Sequence, residues 1–196
     1  MERRKTTIER STRETEIRVE LNLDGGRQVE VRTGLAFLDH MVTALAFHAG
    51  WNLQLECRGD LEVDDHHTVE DCALVLGEAI DCCLGDRQGI ARFGWAYAPL
   101  DEALARVVVD LSGRPVSRVN LGLEREMLGA VASENLEHFF DSLAVRVRAA
   151  LHVDVLRGEN DHHRAEAAFK AAALALRDAV AVTGEVDALS TKGVLV

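Results

Sequence analysis

Two short motifs in this sequence carry the side chains that bind divalent metal ions most readily. Both read His-His-x-x-Glu, with His66, His67 and Glu70 in the first and His162, His163 and Glu166 in the second. Imidazole nitrogens and carboxylate oxygens together suit manganese, iron or zinc. The alternative interpretation is that each motif only begins a solvated helix, where acidic groups favour the positive end of the helix dipole. The repetition of the same motif favours a metal site.

The spacing within each motif determines how its ligands can be shared. On a helix, residues four apart lie on one face, so His66 and Glu70 can point at one metal ion. His67 lies about 100° around the helix axis, because one turn takes about 3.6 residues. It would therefore face a different ion. We predict that each motif serves two metal ions rather than one.

Two further histidines stand at matching distances before the motifs. His40 precedes His66 by 26 residues, and His138 precedes His162 by 24 residues. His40 alone would be interpreted as an ordinary histidine at a helix start, but the match with His138 favours a ligand. The chain then offers six histidines and two glutamates, or four ligands for each of two ions. A metal that prefers six ligands would keep two positions open for chemistry, unlike a closed structural zinc site.

The elements that must position these residues are visible in the first half of the chain. Apolar and polar residues alternate strictly between Glu16 and Asp24, which predicts a half-buried strand. The Asp24-Gly25-Gly26 sequence predicts a hairpin turn, with the return strand at Val29 and Val31. Further predicted elements are a helix from Phe37 to about His48, a strand from Trp51 to Cys57, and a helix capped by Asp64 or Asp65 that runs to about Leu84.

The second half of the chain repeats this order. Its predicted elements are a strand from Asp101 to Leu111, a turn at Ser112-Gly113-Arg114-Pro115, a return strand from Val116 to Leu121, a helix capped by Ser133, a strand from Leu151 to Leu156, and a helix capped by Asn160 or Asp161 that runs to about Val182. We therefore predict an α+β fold made by internal duplication of a strand-strand-helix-strand-helix unit. The halves, residues 1–93 and 94–196, would form one compact domain of two small sheets packed with four helices.

The charge of the chain limits its partners. Its 196 residues include 22 basic and 33 acidic side chains, which give a net charge of −11. This balance argues against binding to nucleic acid or to an anionic membrane, but a local group of cations could still hold a small phosphorylated substrate. The sequence contains no run of 18 or more apolar residues, so we expect no membrane span.

The N-terminus and the cysteines indicate a cytoplasmic protein. Residues 1–10 are charged and lack the apolar segment of a secretion signal. None of the four cysteines, which are Cys57, Cys72, Cys82 and Cys83, forms a CxxC pair. We therefore expect reduced, partly buried thiols.

Several ordered motifs carry a family resemblance that covers nearly the whole chain. They are Thr12-Arg13-Glu14-Thr15, Phe37-Leu38-Asp39-His40-Met41, His66-His67-Thr68-Val69-Glu70-Asp71, Asp101-Glu102, Asp110-Leu111-Ser112-Gly113-Arg114-Pro115, Glu137-His138-Phe139-Phe140, residues 162–171, and Ser190-Thr191-Lys192-Gly193. In these motifs the sequence resembles the imidazoleglycerol-phosphate dehydratases of histidine biosynthesis. One departure is Asn160-Asp161, where the family often has Asp-Pro, and this should change only the helix cap. The phosphatase domain that is fused to some family members is not in this sequence, so only the dehydratase activity is implied.

The resemblance implies a metal site and an assembly. It implies a fold of the ribosomal protein S5 domain 2-like type and two Mn²⁺ ions per active site. The implied ligands are His40, His66, His67, Glu70, His138, His162, His163 and Glu166. It also implies a homo-oligomer of 24 subunits with cubic symmetry, in which the active sites form between subunits.

The resemblance also implies a reaction, in which imidazoleglycerol phosphate loses water and gives imidazole acetol phosphate. The proton removed lies on a carbon beside the imidazole, which is a poor electron sink unless Lewis-acidic metal ions hold it as imidazolate. That anion could expel the hydroxyl to give a diazafulvene-like intermediate, and a carboxylate base would remove the proton. The resemblance makes Glu14 the leading base and a substrate contact. Asp101 and Glu102, at the duplicated position, are the alternative acid or base.

The phosphate group of the substrate requires cations and hydroxyls. By resemblance these come from Arg92, Arg114, Lys170, Ser190 and Lys192. Arg114 lies in a turn, where its guanidinium could donate two hydrogen bonds to phosphate. Ser190 and Lys192 lie in a polar tail, which we expect to order over bound substrate as a lid. His48 is a further candidate for substrate contact, and capping of its own helix is the alternative.

Two other classes of protein use similar residues. A binuclear metal hydrolase, such as a phosphatase, would use the same ligand types but usually more bridging aspartates. A metal store of the ferritin type would place Glu and Glu-x-x-His on four long helices, whereas this chain alternates strands with helices.

Overall fold

The structure, a computed structural model, describes residues 4–184 and 189–190 of the chain. Within these residues the first half forms β1 (Lys5–Ser11), β2 (Thr15–Asn22), β3 (Val29–Arg32), α1 (Ala36–Ala49), β4 (Asn52–Gly59) and α2 (His66–Leu84). The second half forms β5 (Phe93–Leu100), β6 (Ala103–Asp110), β7 (Val116–Asn120), β8 (Met127–Leu128), β9 (Val131–Ala132), α3 (Ser133–Val147), β10 (Ala150–Arg157) and α4 (Asp161–Ala179). The same order of elements therefore occurs twice, with the short pair β8 and β9 added in the second half.

The strands of the first half form a four-stranded sheet in the order β1-β2-β4-β3. β4 is antiparallel to β2 and parallel to β3, so that Leu55 lies opposite Val19 on one side and Val31 on the other. The predicted hairpin is wrong, because the two strands that it would join are not neighbours. The side-chain oxygen of Asn52 accepts a hydrogen bond from the backbone N–H of Gly26 at 2.6 Å, which ties the loop to the start of β4 instead.

The second sheet has the equivalent order β5-β6-β10-β7, with β10 parallel to β7. The turn at residues 112–115 therefore does not join neighbouring strands. The predicted return strand, β7, is separated from β6 by β10. The edge strands β1 and β5 are additional to the predicted strands. β1 has no fully buried residue, and Gly94 and Pro99 weaken the strand signal of β5. A Cβ at Gly94 would lie 1.9 Å from the carbonyl oxygen of Ala175, so glycine there lets β5 approach α4.

The four helices of the described residues lie between the two sheets. α2 packs on β1 and β2, α4 packs on β5 and β6, and the halves meet where α1 contacts α4 and α2 contacts α3. Leu76, Phe139, Phe140 and Phe169 are buried in this core. This arrangement confirms the predicted α+β architecture of two small sheets packed with four helices. No helix within the described residues is long and apolar enough to cross a membrane.

The two motifs lie at the starts of α2 and α4, where side-chain oxygens accept backbone N–H groups of the histidines. The side-chain oxygen of Asn160 accepts hydrogen bonds from the backbone N–H groups of His162 and His163, which confirms the predicted cap of α4. At α2 the N-cap residue is Asp65, which makes no side-chain capping bond, and Asp64 before it accepts a hydrogen bond from the backbone N–H of His66 at 2.8 Å. Satisfying the free N–H groups in this way stabilises a helix start by about 1 kcal/mol. Both histidine pairs thus lie in the first turn of a helix.

The prediction that Ser133 caps α3 is wrong. Ser133 is the first helical residue, and its hydroxyl donates a hydrogen bond to the carbonyl oxygen of Arg125 instead. The end of α1 agrees with its prediction, because Gly50 takes the left-handed conformation with φ of 83° and ends the helix.

Candidate metal centre

One group of ligand-type side chains joins His66 and Glu70 of α2 to His138 of α3, and we call it the α2–α3 trio. His66 Nε2 lies 3.9 Å from Glu70 Oε2, and His138 Nε2 lies 3.4 Å from Glu70 Oε1. The rings of His66 and His138 stack, with centroids 4.9 Å apart and an angle of 17° between their planes. The candidate ligand atoms all lie within 4.8 Å of one another, which is close enough for one metal ion to bind them together.

A second group, the α1–α4 trio, joins His40 of α1 to His162 and Glu166 of α4. Glu166 Oε2 lies 3.1 Å from His40 Nε2 and 3.2 Å from His162 Nε2. The other carboxylate oxygen of Glu166 pairs with Lys170 Nζ at 2.6 Å. The edge of Phe37 packs against the ring of His162, with centroids 5.3 Å apart. The α1–α4 trio thus has one carboxylate oxygen directed at two imidazoles.

Each trio combines residues from both halves of the chain. His40 joins the motif of the second half, and His138 joins the motif of the first half. This exchange follows from the helix packing, because α1 contacts α4 and α2 contacts α3. Within the described residues, the two trios are the groups of three or more histidine, cysteine or acidic side chains that could hold a metal ion.

The second histidine of each motif faces away from its trio, as the helical spacing predicted. His67 Nδ1 lies 3.1 Å from a carboxylate oxygen of Asp60. His163 Nδ1 lies 2.7 Å from Glu102 Oε2. We call His67 and His163 the outward histidines. Both side chains are about one third exposed, at 31% and 29%, so they could contact another molecule.

The residues of the trios fit a divalent metal ion. Asn135, which is buried in the first turn of α3, has its Oδ1 atom 3.0 Å from His66 Nδ1. If Nδ1 carries the proton and donates it to this oxygen, Nε2 keeps its lone pair for a metal. In the α1–α4 trio, Lys170 occupies one oxygen of Glu166 and leaves the other for an ion. The mixed imidazole and carboxylate donors suit manganese, iron or zinc.

The ionisation of Glu166 also suits a ligand. Burial raises the pKa of Glu166, but hydrogen bonds from Lys170 and His40 outweigh this effect and hold the pKa at about 2. The carboxylate is therefore charged at neutral pH. The hydrogen bond to Asp60 raises the pKa of His67, and the hydrogen bond to Glu102 raises the pKa of His163. Protons therefore compete with a metal ion at both outward histidines as the pH falls.

The candidate acids and bases lie beside the outward histidines. Glu14 Oε1 is 3.8 Å from His67 Nε2, and Asp101 Oδ2 is 3.7 Å from His163 Nε2. Both carboxylates are largely exposed, at 52% and 74%. Glu102 differs, because the backbone N–H of Asn160, the ring of His163 and the backbone N–H of Glu159 all donate to it and lower its pKa to about 2.

The candidate phosphate-binding residues differ in their contacts and in their exposure. Arg92 is held by Asp110, with Nε and one terminal nitrogen 2.7 Å and 3.0 Å from the two carboxylate oxygens. The side chain of Arg114 is exposed, in a turn where Gly113 has a φ of 82°. Lys170 pairs with Glu166 of the α1–α4 trio.

The remaining predicted site residues lie near α1 or in the tail. His48 is in the last turn of α1, where burial and then the charge of Lys170 lower its pKa. The end of that helix is closed by Gly50 rather than by the histidine side chain. Ser190 is half-buried, and Lys192 lies outside the described residues, as does most of the predicted lid.

Two residues at the site were not among the sequence predictions. Asn135, in the remote helix α3, contacts the ring of His66. Asp60, in the irregular turn after β4, contacts the ring of His67. Asn135 lies three residues before His138, and this spacing was the available signal, since both side chains then share a helix face. For Asp60 the sequence holds no comparable signal, because it follows a strand in an irregular turn.

A family model covers most of this site. Residues 33–176 match the model of imidazoleglycerol-phosphate dehydratase, and this range contains both trios. The chain belongs to the imidazoleglycerol-phosphate dehydratase family. The members of this family are named as enzymes, and the resemblance stated from the sequence motifs is confirmed.

Individual imidazoleglycerol-phosphate dehydratases match along the whole chain. The protein from Phytophthora nicotianae is 57% identical over 192 residues, which are 98% of this chain and 42% of that protein. The protein from Candida glabrata is 52% identical over 206 residues, which are 96% of this chain and 98% of that protein. The crystal structure of the dehydratase from Staphylococcus aureus superimposes with a TM-score of 0.83 at 37% identity, and covers 91% of this chain and 99% of that chain. This chain therefore spans less than half of the first relative and nearly all of the second.

Proposed function

We propose that this chain is a lyase that catalyses the Mn²⁺-dependent dehydration of imidazoleglycerol phosphate to imidazole acetol phosphate in histidine biosynthesis. The observation that carries the proposal is the pair of trios, each with two imidazoles and one carboxylate converging on one point, in a chain of this family. The compartment of this biosynthetic step would be the cytoplasm. We also infer that the two halves, residues 1–93 and 94–196, derive from a duplication, since the order of elements is repeated.

Each trio would hold one Mn²⁺ ion, and an outward histidine from another copy of the chain would supply the fourth protein ligand. This sharing is supported by the outward histidines, whose Nδ1 atoms are held by carboxylates while about one third of each side chain stays exposed. When bound, the metal ions would act as Lewis acids on the imidazole ring of the substrate. We propose that the sites form between subunits of a homo-oligomer, which the family resemblance extends to 24 subunits.

Glu14 is the carboxylate best placed to move the proton from carbon. Its side chain is exposed beside an outward histidine and is too far from His67 Nε2 to be held by a hydrogen bond. Asp101 occupies the corresponding place beside His163 and is the candidate for returning or donating a proton. Glu102 accepts three hydrogen bonds, which lower its pKa and make it a weak base.

The phosphate group would be bound by cations outside the trios. Arg114, exposed in its turn, offers a planar group that can donate two hydrogen bonds to phosphate. Lys170 lies at the α1–α4 trio, so it could neutralise a substrate charge beside the metal. Arg92, His48, Ser190 and Lys192 complete the proposed set of substrate contacts. The guanidinium of Arg92 would keep its orientation through Asp110.

The activity is tested with protein that has been freed of metal by a chelator. We expect no turnover of imidazoleglycerol phosphate before Mn²⁺ is added, and restored formation of imidazole acetol phosphate afterwards, with the phosphate ester intact. Release of inorganic phosphate would instead identify a hydrolase. Uptake of Mn²⁺ without any turnover would identify a metal store.

Sharing of the site between subunits is tested by mixing two inactive variants. His67→Ala keeps the trios but loses one outward histidine, and His66→Ala keeps that outward histidine but damages a trio. If different subunits contribute these residues, co-assembled mixtures should regain a fraction of the turnover. Each variant re-assembled with itself is the control. A mixture no more active than the controls would contradict sites between subunits.

A further inference from the structure

The rings of the two outward histidines are held by carboxylates from different places in the fold. His67 Nδ1 lies 3.1 Å and 3.2 Å from the two carboxylate oxygens of Asp60. His163 Nδ1 lies 2.7 Å from Glu102 Oε2. A carboxylate that accepts the Nδ1–H fixes both the tautomer and the orientation of an imidazole, and leaves Nε2 as the ligand atom.

The two carboxylates do not occupy equivalent positions in the halves. Glu14 directly precedes β2 and Glu102 directly precedes β6, and these strands hold the same second place in their sheets. Asp60 follows Arg58-Gly59 at the end of β4, as Glu159 follows Arg157-Gly158 at the end of β10. Glu14 is therefore the positional counterpart of Glu102. Asp60 is the counterpart of Glu159, whose backbone N–H donates to Glu102 Oε1 at 3.1 Å, whereas the side chain that holds the ring of His163 is that of Glu102.

We propose that Asp60 is the positioning residue of His67. Glu14 therefore does not need to hold the ring of His67, as Glu102 holds the ring of His163 in the second half. Glu14 Oε1 is 3.8 Å from His67 Nε2, which is beyond hydrogen-bonding distance. Glu14 can therefore act on substrate while His67 stays in place. This assignment rests on the proposed function, in which His67 Nε2 is a metal ligand.

Glu102 holds the ring of His163 itself and is a positioning residue as well. Its Oε1 atom accepts the backbone N–H groups of Glu159 and Asn160 at 3.1 Å and 2.9 Å, while Oε2 holds His163. Both of its carboxylate oxygens thus accept hydrogen bonds. The duplicated carboxylates have different roles, since one faces the substrate and the other holds a ligand.

Asp60 also fixes the backbone beside Glu14. Its N–H donates a hydrogen bond to the carbonyl oxygen of Glu14 at 3.0 Å. One residue therefore sets the position of the outward histidine through its side chain and that of the candidate base through its main chain. A side-chain substitution at Asp60 removes the first contact and leaves the second.

The role of Asp60 is tested by Mn²⁺ affinity and by the state of the ring. We expect Asp60→Ala to weaken Mn²⁺ binding to previously metal-free protein by about 10- to 100-fold, because the supporting hydrogen bond is lost. Asp60→Asn should keep most of the affinity, since its amide oxygen can still accept the Nδ1–H. Nitrogen NMR of labelled histidine in the metal-free protein should show the Nδ1–H form of His67 in the unsubstituted chain, and a mixture of forms in Asp60→Ala.

A matched control separates the effect of losing the hydrogen bond to His67 from the effect of losing a negative charge. Asp64→Asn removes the same charge from the same loop, but its side chain contacts the backbone N–H of His66 and no imidazole. Its Mn²⁺ affinity should stay within about two-fold of the unsubstituted protein. Equal losses in Asp64→Asn and Asp60→Ala would overturn the proposal, as would an unchanged affinity and spectrum in Asp60→Ala. Failure of the unsubstituted protein to bind Mn²⁺ would contradict the proposed function, and the metal-free spectra would still decide the role of Asp60.

Discussion

His40 Nε2 lies 3.1 Å from Glu166 Oε2, although 126 residues separate the two in the chain. His138 and Glu70, on the other pair of helices, make the corresponding contact at 3.4 Å. Each contact joins one half of the chain to the other, because α1 packs on α4 and α2 packs on α3. Neither half alone contains a complete trio, so folding of the whole domain is needed to assemble the candidate metal centre.

The first prediction concerns metal content. His66→Ala and His138→Ala each remove a candidate ligand from the α2–α3 trio, and each should lower the bound Mn²⁺ by about half and abolish turnover. Elemental analysis of protein dialysed against Mn²⁺ checks this. His152→Ala, on the exposed side of β10, is the control and should keep the full content. Two variants with full metal content and normal turnover would contradict the assignment of the trio.

The second prediction distinguishes Glu14 from Glu102, which occupy equivalent positions in the two halves of the chain. Glu14→Gln should keep Mn²⁺ affinity but lower kcat by about 100-fold or more, as expected when a general base is lost. Glu102→Gln should keep turnover within about ten-fold, because its one amide oxygen can still accept the Nδ1–H of His163, although its NH2 group then faces the backbone N–H groups of Glu159 and Asn160. Steady-state kinetics at saturating Mn²⁺ checks both. Near-normal kcat in Glu14→Gln would remove Glu14 from the reaction.

The third prediction is a pH dependence of stability in metal-free protein. The pKa of Glu166 is about 2 in the folded chain, below the ordinary value of 4.5. Because the pKa is lower in the folded chain, the ionised carboxylate of Glu166 stabilises the folded state. This stabilisation is fully present above about pH 4.5 and is lost as the pH falls toward 2. Urea unfolding between pH 5 and 2 should show this loss. Lys170→Met removes a hydrogen-bond donor to Glu166 and should make the slope shallower, and an unchanged slope would contradict this origin.

The fourth prediction concerns a buried guanidinium far from the trios. Arg87 is 2% exposed and donates hydrogen bonds to the carbonyl oxygens of Leu111 and Arg148, both at 3.0 Å, and it also pairs with Asp81. Arg87→Met should lower the free energy of unfolding by about 3 kcal/mol, because the carbonyls and the carboxylate lose a buried partner. Denaturant unfolding at fixed protein concentration measures this.

A surface arginine provides the control for that measurement. Arg118 is exposed on β7 and donates a hydrogen bond to the carbonyl oxygen of Ser117 at 2.8 Å. Arg118→Met should change the free energy of unfolding by less than about 1 kcal/mol, as is usual for surface charges. A similar loss in both variants would show that burial of Arg87 is not the cause.

Sequence reasoning gave the candidate ligands, the helices that carry them and the outward direction of His67 and His163. These properties are local, because the spacing of residues on one helix decides which side chains share a face. The cap of α4 was predicted for the same reason, since the side chain of Asn160 bonds to N–H groups only two or three residues away.

The tertiary structure alone decided which residues meet. Alternation in a strand shows which face is buried but not which strand lies beside it, so the insertion of β4 between β2 and β3 was not predictable from Val19 or Val31. In the same way, helical periodicity does not show which helix covers an apolar face. The packing of α1 on α4 and of α2 on α3 places His40 with the second motif and His138 with the first. The contacts of Glu14 and Glu102 also depend on folding, because Asp60 reaches the ring of His67, and the backbone of Asn160 reaches Glu102, only when the loops after β4 and β10 have folded.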